Sequence, residues 1–382
     1  MRAGVRIAVA ASKALARLHR WWACAAVLAR VPLAELDETS VGRLRYALMM
    51  ANRVRPAQTQ AAFGRLVQRA GIASPELCLE LAMMATSLGL SEMAATLLER
   101  VSQQATNADT ADAAGRLLRL NRMEALGTLR PALGAAIDGF PLQQAGMLTL
   151  VPVSGKYLEL WQLWLQQVRL HACRVVVAMV MDDAALAALQ GEPDVLPVDV
   201  REYFSWSREG RLHPHTRGVL WYLRVLLLQE LVRRGHPVLV LDLDAIPVGD
   251  VIAMLSALEW SDVVAQQDHS IPKDVDRQLG FVLCCGFMLW RPTTPALRLL
   301  ERFGEEAALE RDDQLALNHM LAANGITHRV EADGELHFES CGVGVVCPAD
   351  SRVSRTMVSG SVVRHFHQTG QGTPEIRAAL GL

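Results

Sequence analysis

The 382-residue sequence has little lysine, few aromatic residues and no long hydrophobic segment. Lysine occurs only at positions 13, 156 and 273, so arginine supplies almost all of the positive charge. The net charge of -2 and the scattered basic residues do not indicate a nucleic-acid-binding protein. The longest uncharged run near the N-terminus, residues 21–29, is far shorter than the roughly 17 to 25 residues of a membrane helix. No transmembrane anchor is therefore predicted.

The cysteines and the absence of sequons bear on the compartment. The seven cysteines form neither a CxxC pair nor another metal-type spacing, and their number is odd, so we predict mostly buried thiols. No Asn-x-Ser/Thr sequon occurs, which speaks against a glycosylated secretory product. These features favour the cytoplasm, with the Golgi lumen or an organelle as alternatives.

The first 34 residues contain basic side chains but no acid, since Glu35 is the first carboxylate. This bias is compatible with an organelle transit peptide. Helical periodicity continues beyond these residues, however. We therefore favour the alternative, a basic amphipathic first helix of the folded domain.

Residues 1–143 contain helix formers and no strand signal, which predicts an all-helical accessory domain. The sequence YALMMA at 46–51 is similar to ELAMMA at 80–85, a spacing of 34 residues that equals the length of a tetratricopeptide repeat. Stacked repeats of this kind would offer a surface to a protein partner. The alternative is chance similarity in an Ala/Leu/Met-rich sequence, in which the Met pairs fill a core.

Strand and helix patterns alternate after residue 143, which predicts an α/β domain with a largely parallel, Rossmann-like sheet over residues 144–382. The apolar segment 220–232 predicts a buried helix that ends near Gly235. The predicted strands are 147–153, 174–181, 238–241, 262–265 and 281–289.

Asp242 and Asp244 directly follow the apolar strand 238–241. Charged carboxylates at the end of a buried strand call for a physical explanation. Residues two apart on a strand point the same way, and α/β sheets bind ligands at the carboxyl ends of their strands. Two close carboxylates repel each other unless a cation lies between them, and a divalent metal carrying a diphosphate would supply that cation. The alternative is an Asp turn in which Asp244 bonds to the backbone ahead of Pro247.

Five motifs occur in order along residues 147–370. They are the opening Leu-Val-Pro-Val-Ser-Gly-Lys-Tyr at 150–157, Arg224 with Gly235 and Asp242-Leu-Asp244, the strand Cys285-Gly-Phe-Met-Leu-Trp-Arg291, Asp313-Gln314 with Asn318, and His367-Gln-Thr-Gly370. In this order they resemble the nucleotide-diphospho-sugar transferases of the GT-A fold, close to glycosyltransferase family 77.

The resemblance implies a metal-dependent glycosyltransferase that moves a hexose or pentose, with retention of configuration, from a nucleotide-diphosphate donor such as a UDP-sugar. The acceptor would be a glycan, a protein or a small molecule. Mn²⁺ or Mg²⁺ would be bound by Asp242, Asp244 and His367, and Asp313 and Gln314 would lie beside the transferred sugar. The implied donor-binding residues are Val153, Ser154, Gly155, Tyr157, Arg224, Asp242, Leu243 and Gly286.

Several of these residues have a purely structural alternative. Arg224 could form a salt bridge to an Asp instead of binding diphosphate, and Asp313 could cap a helix. Without the resemblance, His365 and His367 would be a surface histidine pair. The chain also departs from the family at Cys284-Cys285, where the family has Asn-Thr, and at Thr369, where it has Asn. Substrate preference therefore cannot be carried over.

Two other classes of protein fit part of the pattern. In a haloacid-dehalogenase-type phosphatase, Asp242 would be the nucleophile. That motif normally lies on the first strand, with Thr or Val two residues after the second Asp, where this chain has Ile246. The other class is a non-catalytic interaction protein with a decayed transferase domain.

No residue is a clear covalent nucleophile, and for a glycosyltransferase the resemblance implies displacement on the front face of the sugar.

Overall fold

The structure is a computed structural model, which describes residues 3–17, 20–32, 35–70, 74–138, 140, 142, 146–207, 209–332, 334–354, 361–366 and 373–381. Contacts within the chain divide it into two compact units. One unit comprises residues 1–129, 203–217 and 308–311, and the other comprises residues 130–202, 218–307 and 312–382. The predicted domain boundary between residues 143 and 144 lies outside the described residues and stays a prediction.

The N-terminal part of the chain is helical, as predicted. Its helices are α1 (Ala3–Arg17), α2 (Trp21–Leu28), α3 (Glu38–Val54), α4 (Pro56–Ala70), α5 (Pro75–Ser87), α6 (Ser91–Gln104), α7 (Ala108–Ala125) and α8 (Leu129–Asp138). Ser74 and Asn107 accept backbone N–H bonds at the starts of α5 and α7, which is the usual role of an N-cap. Met83 and Met84 are buried on α5 and fill the core. The 34-residue repeat stays a prediction.

Strands and helices alternate through the rest of the chain. The sequence of elements is β1 (Leu148–Val153), α9 (Leu158–His171), β2 (Val176–Val180), α10 (Asp183–Leu189), β3 (Val195–Asp199), α11 (Pro214–Arg233), β4 (Val238–Leu241), β5 (Ala245–Pro247), α12 (Val251–Ser256), β6 (Val263–Asp268), α13 (Lys273–Leu279), β7 (Val282–Trp290), α14 (Thr294–Glu310), α15 (Asp313–Asn324), β8 (Thr327–Val330), β9 (Leu336–Ser340), β10 (Val343–Cys347), β11 (Val353–Ser354), β12 (Val363–His365) and α16 (Thr373–Leu380).

The main sheet has the strand order β3-β2-β1-β4-β7-β6-β10-β9-β8. Strands β1 to β4 are parallel, and β6 and β10 are parallel to each other. Strand β7 runs antiparallel between β4 and β6, so the carboxyl ends of β1, β4 and β6 lie at one edge of the sheet. All four residues of β4 are fully buried, because both faces of the strand are covered. The predicted α/β class and the buried strand 238–241 are confirmed.

A second, three-stranded sheet has the order β11-β12-β5. Strand β12 is antiparallel to β5, and this pairing places His365 opposite Ala245. The N–H of Phe366 also donates to the carbonyl of Asp244 at 2.8 Å. This sheet brings a C-terminal segment to the turn that carries Asp242 and Asp244.

The cysteines are free, and five of the seven are buried, which confirms the prediction of mostly buried thiols. Cys173 is half-buried and Cys341 is exposed. Among the described helices, none combines the length and apolar character needed to cross a membrane.

Asp182 joins the loops that follow β1 and β2. Its two carboxylate oxygens accept the N–H of Gly155 at 3.0 and 2.8 Å, and one of them also accepts the N–H of Ala185 at the start of α10. A side chain at position 155 would not fit, because a Cβ there would lie 2.6 Å from the Cβ of Ala184. Asp182 thus fixes two loops at the carboxyl edge of the sheet.

We expect Asp182→Ala to lower the free energy of unfolding by about 1–2 kcal/mol, because the helix loses its N-cap and the Gly155 N–H loses its acceptor. Denaturant unfolding measures this change. Asp183→Ala is the matched control, since the Asp183 side chain is 92% exposed and its bond to Arg201 lies at the surface. Equal losses in the two variants would contradict the assignment.

Candidate active site

The turn after β4 is held by three backbone carbonyls and one indole. The N–H of Asp242 donates to Gly286 on β7 at 2.9 Å, and the N–H of Ala245 donates to Asp242 at 2.9 Å. The indole N–H of Trp164 on α9 lies 3.1 Å from the carbonyl of Asp242 and 3.2 Å from that of Ala245. The carboxylates of Asp242 and Asp244 are therefore presented by a fixed backbone.

Asp242, Asp244 and His365 form a group that could hold a metal ion. Each offers one ligand atom, and these atoms all lie within 4.8 Å of one another. Nε2 of His365 is 3.4 Å from Oδ1 of Asp244. The two ring nitrogens face different partners, since Nδ1 lies 2.6 Å from Oε1 of Gln266 on β6.

The alternative of a surface histidine pair is wrong for His365, because this residue is only 3% exposed. Its burial follows from the alternation of β12, in which Val363 and His365 face inward on either side of Arg364. The run Val362-Val363-Arg364-His365 carried that signal, but it is too short for periodicity to decide. His367, the predicted third ligand, lies outside the described residues.

The pairing between β6 and β7 is interrupted next to His365. The pairing of β6 with β7 steps from Ala265–Met288 to Gln266–Cys284, so residues 285–287 have no partner in the β6 ladder. A Cβ on Gly286 would lie 2.4 Å from Cε1 of His365 and 2.6 Å from Oδ2 of Asp242. Bulges of this kind often redirect side chains next to active sites. Only glycine at 286 leaves room for the Asp242 and His365 side chains.

Arg224 is a buried cation shared by two carboxylates. Its guanidinium donates from Nε to Asp313 at 2.9 Å and from Nη1 to Asp242, and it lies over the ring of Trp221 at 4.6 Å. Burial alone lowers the pKa of Arg224, but the charges of Asp313 and Asp242 outweigh it and raise that pKa. The salt-bridge alternative is therefore observed, and the predicted diphosphate contact stays a prediction.

Asp313 is not the cap of α15, because Asp312 accepts the N–H of Leu315 at 2.9 Å. The Asp313 carboxylate instead faces Arg224 and is 4% exposed. Burial raises the pKa of Asp313 to about 6, although Arg224 opposes the shift. Asp313 nevertheless lies in the first turn of α15, where a carboxylate stabilises the helix N-terminus, so this alternative and the role beside the sugar both stay predictions.

Gln314 contacts the loop after β6. Its Nε2 donates to the carbonyl of Ile271 at 2.8 Å and lies 3.5 Å from Oδ2 of Asp268, a buried carboxylate at the end of β6. Asn318, one turn later, pairs with both the N–H and the carbonyl of Leu283 on β7. Helix α15 is thus tied to both strands that flank His365.

The predicted donor-binding residues after β1 lie at the same edge of the sheet. Val153 and Ser154 are buried, and Tyr157 packs against the core. The N–H of Gly155 is already used by Asp182. Leu243 is buried in the core, so a donor contact there would use its backbone. Donor binding by these residues stays a prediction.

The charge balance of the group favours a cation. Arg224 forms ion pairs with Asp242 and Asp313, and His365 lies beside Asp244. Burial alone lowers the pKa of His365, but its bonds to Asp244 and Cys284 raise that pKa to about 10. Asp244 thus stabilises a proton on Nε2, and a metal ion bound there would replace that proton. Two carboxylates and one imidazole beside a glycine cradle are a donor set that fits Mn²⁺.

We expect Arg224→Met to destabilise the protein by about 3–5 kcal/mol, because it leaves the buried Asp313 without a counter-charge. Adding Asp313→Leu should recover most of the loss, since the second buried charge is then gone. Denaturant unfolding of the single and double variants measures both effects. Arg233→Met on the same helix is the control, because its pair with Glu301 is largely exposed and contributes at most about 1 kcal/mol. A double variant no more stable than Arg224→Met would contradict the pairing.

Comparison with known proteins agrees with this geometry. A family model described as nucleotide-diphospho-sugar transferase matches residues 171–363, just over half of the chain. No curated protein matches the chain. The narrower resemblance to glycosyltransferase family 77 stays a prediction. A helical N-terminal part followed by a GT-A-like α/β unit, with its acidic group at the carboxyl edge of the sheet, agrees with the match. The chain belongs to the nucleotide-diphospho-sugar transferases, a family of glycosyltransferases.

Proposed function

We propose that the protein is a metal-dependent, retaining glycosyltransferase that uses a UDP-sugar and moves its hexosyl or pentosyl group to a glycan, protein or small-molecule acceptor. The observation that supports it best is the convergence of Asp242, Asp244 and His365 within 4.8 Å at the carboxyl edge of the sheet. These residues come from two distant parts of the sequence. The alternative, a simple Asp turn, would require neither His365 nor the space that Gly286 leaves beside it.

Asp242, Asp244 and His365 would hold Mn²⁺ or Mg²⁺, which when bound would neutralise charge on the departing diphosphate. His367 stays a further predicted ligand. Arg224 keeps Asp242 in place and brings positive charge to the same edge. Asp313 and Gln314 would position the transferred sugar, because both lie at the start of α15 and face this edge through Arg224 and Asp268.

In the proposed reaction, the bond between the anomeric carbon and the β-phosphate oxygen breaks. The acceptor oxygen then bonds to the anomeric carbon on the same face of the sugar. The acceptor proton passes to the leaving phosphate, so that no protein nucleophile is required. The buried Asp313 is bonded to Arg224, which suits a residue that orients the sugar better than one that attacks it.

The helical part of the chain is proposed as an accessory domain over residues 1–143, with the transferase domain over residues 144–382. Every described member of the candidate site belongs to the second compact unit, including Arg224, Gly286 and Asp313. The helices would then serve a protein partner or stabilise the enzyme, without supplying metal ligands.

Asp244→Asn should keep the fold but weaken Mn²⁺-dependent UDP binding at least about tenfold and abolish transfer. The reason is that Asn keeps the shape of Asp and loses the charge that binds a hard cation. Titration calorimetry of UDP with Mn²⁺ measures the affinity. The Asp-turn alternative predicts little change, because Asn bonds to its own backbone almost as well.

Asp250→Asn is the matched control for this substitution. Asp250 is exposed on the same stretch of chain and caps α12, where Asn is an equally good N-cap. It should bind UDP and Mn²⁺ as the wild type does. Equal affinity of Asp244→Asn and Asp250→Asn would remove the metal assignment.

A non-catalytic interaction protein is the other function to be tested. The wild type should slowly hydrolyse a UDP-sugar when no acceptor is present, since water can replace the acceptor, and EDTA should stop the reaction. Chromatographic detection of released UDP measures it, with Asp244→Asn as the blank. Binding of UDP and Mn²⁺ without hydrolysis or transfer of any donor sugar would favour the non-catalytic protein. Family membership speaks against the phosphatase alternative for Asp242.

A further inference from the structure

Gln266 is a buried amide on β6. The residue is 1% exposed, and its side-chain Oε1 lies 2.6 Å from Nδ1 of His365. It occupies the point where the β6–β7 pairing shifts register, directly opposite Cys284. Burying an amide is costly unless it forms hydrogen bonds. The contact with His365 supplies such a bond for Oε1.

The contact determines which ring nitrogen of His365 carries a proton. An imidazole that binds a metal ion has lost one of its two protons. A carbonyl oxygen only accepts hydrogen bonds, so the remaining proton must lie on Nδ1, where Oε1 accepts it. Nε2 then keeps its lone pair on the side of Asp244, 3.4 Å away. Cys284 is the other group near Nδ1, but its sulfur is 3.8 Å away and is a weak acceptor.

We propose that Gln266 is a positioning residue that holds His365 in the tautomer and orientation needed to bind the metal through Nε2. This inference rests on the proposed function, because it assigns a role within the same site. Histidine ligands in metalloproteins commonly donate their second N–H to an oxygen acceptor, and loss of that acceptor typically weakens metal binding about 10–100-fold.

The test is titration of the full-length protein with Mn²⁺ in the presence of saturating UDP. Gln266→Leu, which has a similar volume and no acceptor, should weaken Mn²⁺ binding about 10–100-fold. Gln266→Glu should bind Mn²⁺ within a few-fold of the wild type, because a carboxylate oxygen accepts the same proton. Gln267→Leu is the control, since the neighbouring side chain points to the other face of β6.

Two results would overturn the inference. One is wild-type Mn²⁺ affinity in Gln266→Leu, and the other is an equal loss in Gln266→Glu, which would show that an oxygen acceptor for Nδ1 is not what metal binding requires. If Gln266→Leu does not fold, ¹⁵N spectra of the wild type with Mg²⁺ and UDP decide: a His365 proton on Nδ1 supports the inference and one on Nε2 overturns it. Should Asp244→Asn also bind Mn²⁺ normally, the proposed function itself fails. If only Gln266→Leu binds normally, the role of Gln266 alone is rejected.

Discussion

The mutual repulsion of Asp242 and Asp244 is the constraint on which the rest of the site depends. Both carboxylates follow a strand that is buried on both faces, so water cannot screen their charges fully. The protein meets this demand with the guanidinium of Arg224 from α11 beside Asp242 and the imidazole of His365 from β12 beside Asp244. Asp313 in turn balances the second half of the Arg224 guanidinium. The charges therefore form a connected set rather than independent pairs.

The backbone gives these side chains their space. The indole of Trp164 fixes the turn from one side, while the departure of β7 from β6 opens the other side at Gly286. The histidine enters this opening because β12 pairs with β5, immediately after the two aspartates. Packing, strand pairing and charge thus act at one edge of the sheet. A substitution that alters the packing, the strand pairing or the charges at this edge would therefore disturb the other two.

The sequence was sufficient for the features that depend on local pattern. The run Val238–Leu241 predicted a doubly buried strand, and the two-residue spacing predicted that the carboxylates of Asp242 and Asp244 lie close together. It was not sufficient for the three-stranded sheet, because strands of two or three residues show no periodicity and their pairing is decided by tertiary contacts. Burial of His365 was missed for that reason. The sequence also could not tell which acid caps α15, since Asp312 and Asp313 are adjacent and only the backbone angles separate their roles.

The attachment of His365 to β12 has a consequence for the order in which the site is completed during synthesis. The ribosome adds more than a hundred residues between Asp244 and His365, so a growing chain can form β1 to β7 long before the histidine emerges. Until then the acidic turn has the arginine of α11 but not the imidazole of His365. A chain interrupted before residue 361 would keep the main sheet's strands and lack the imidazole, so the proposed metal site would be complete only after β12 has been synthesised.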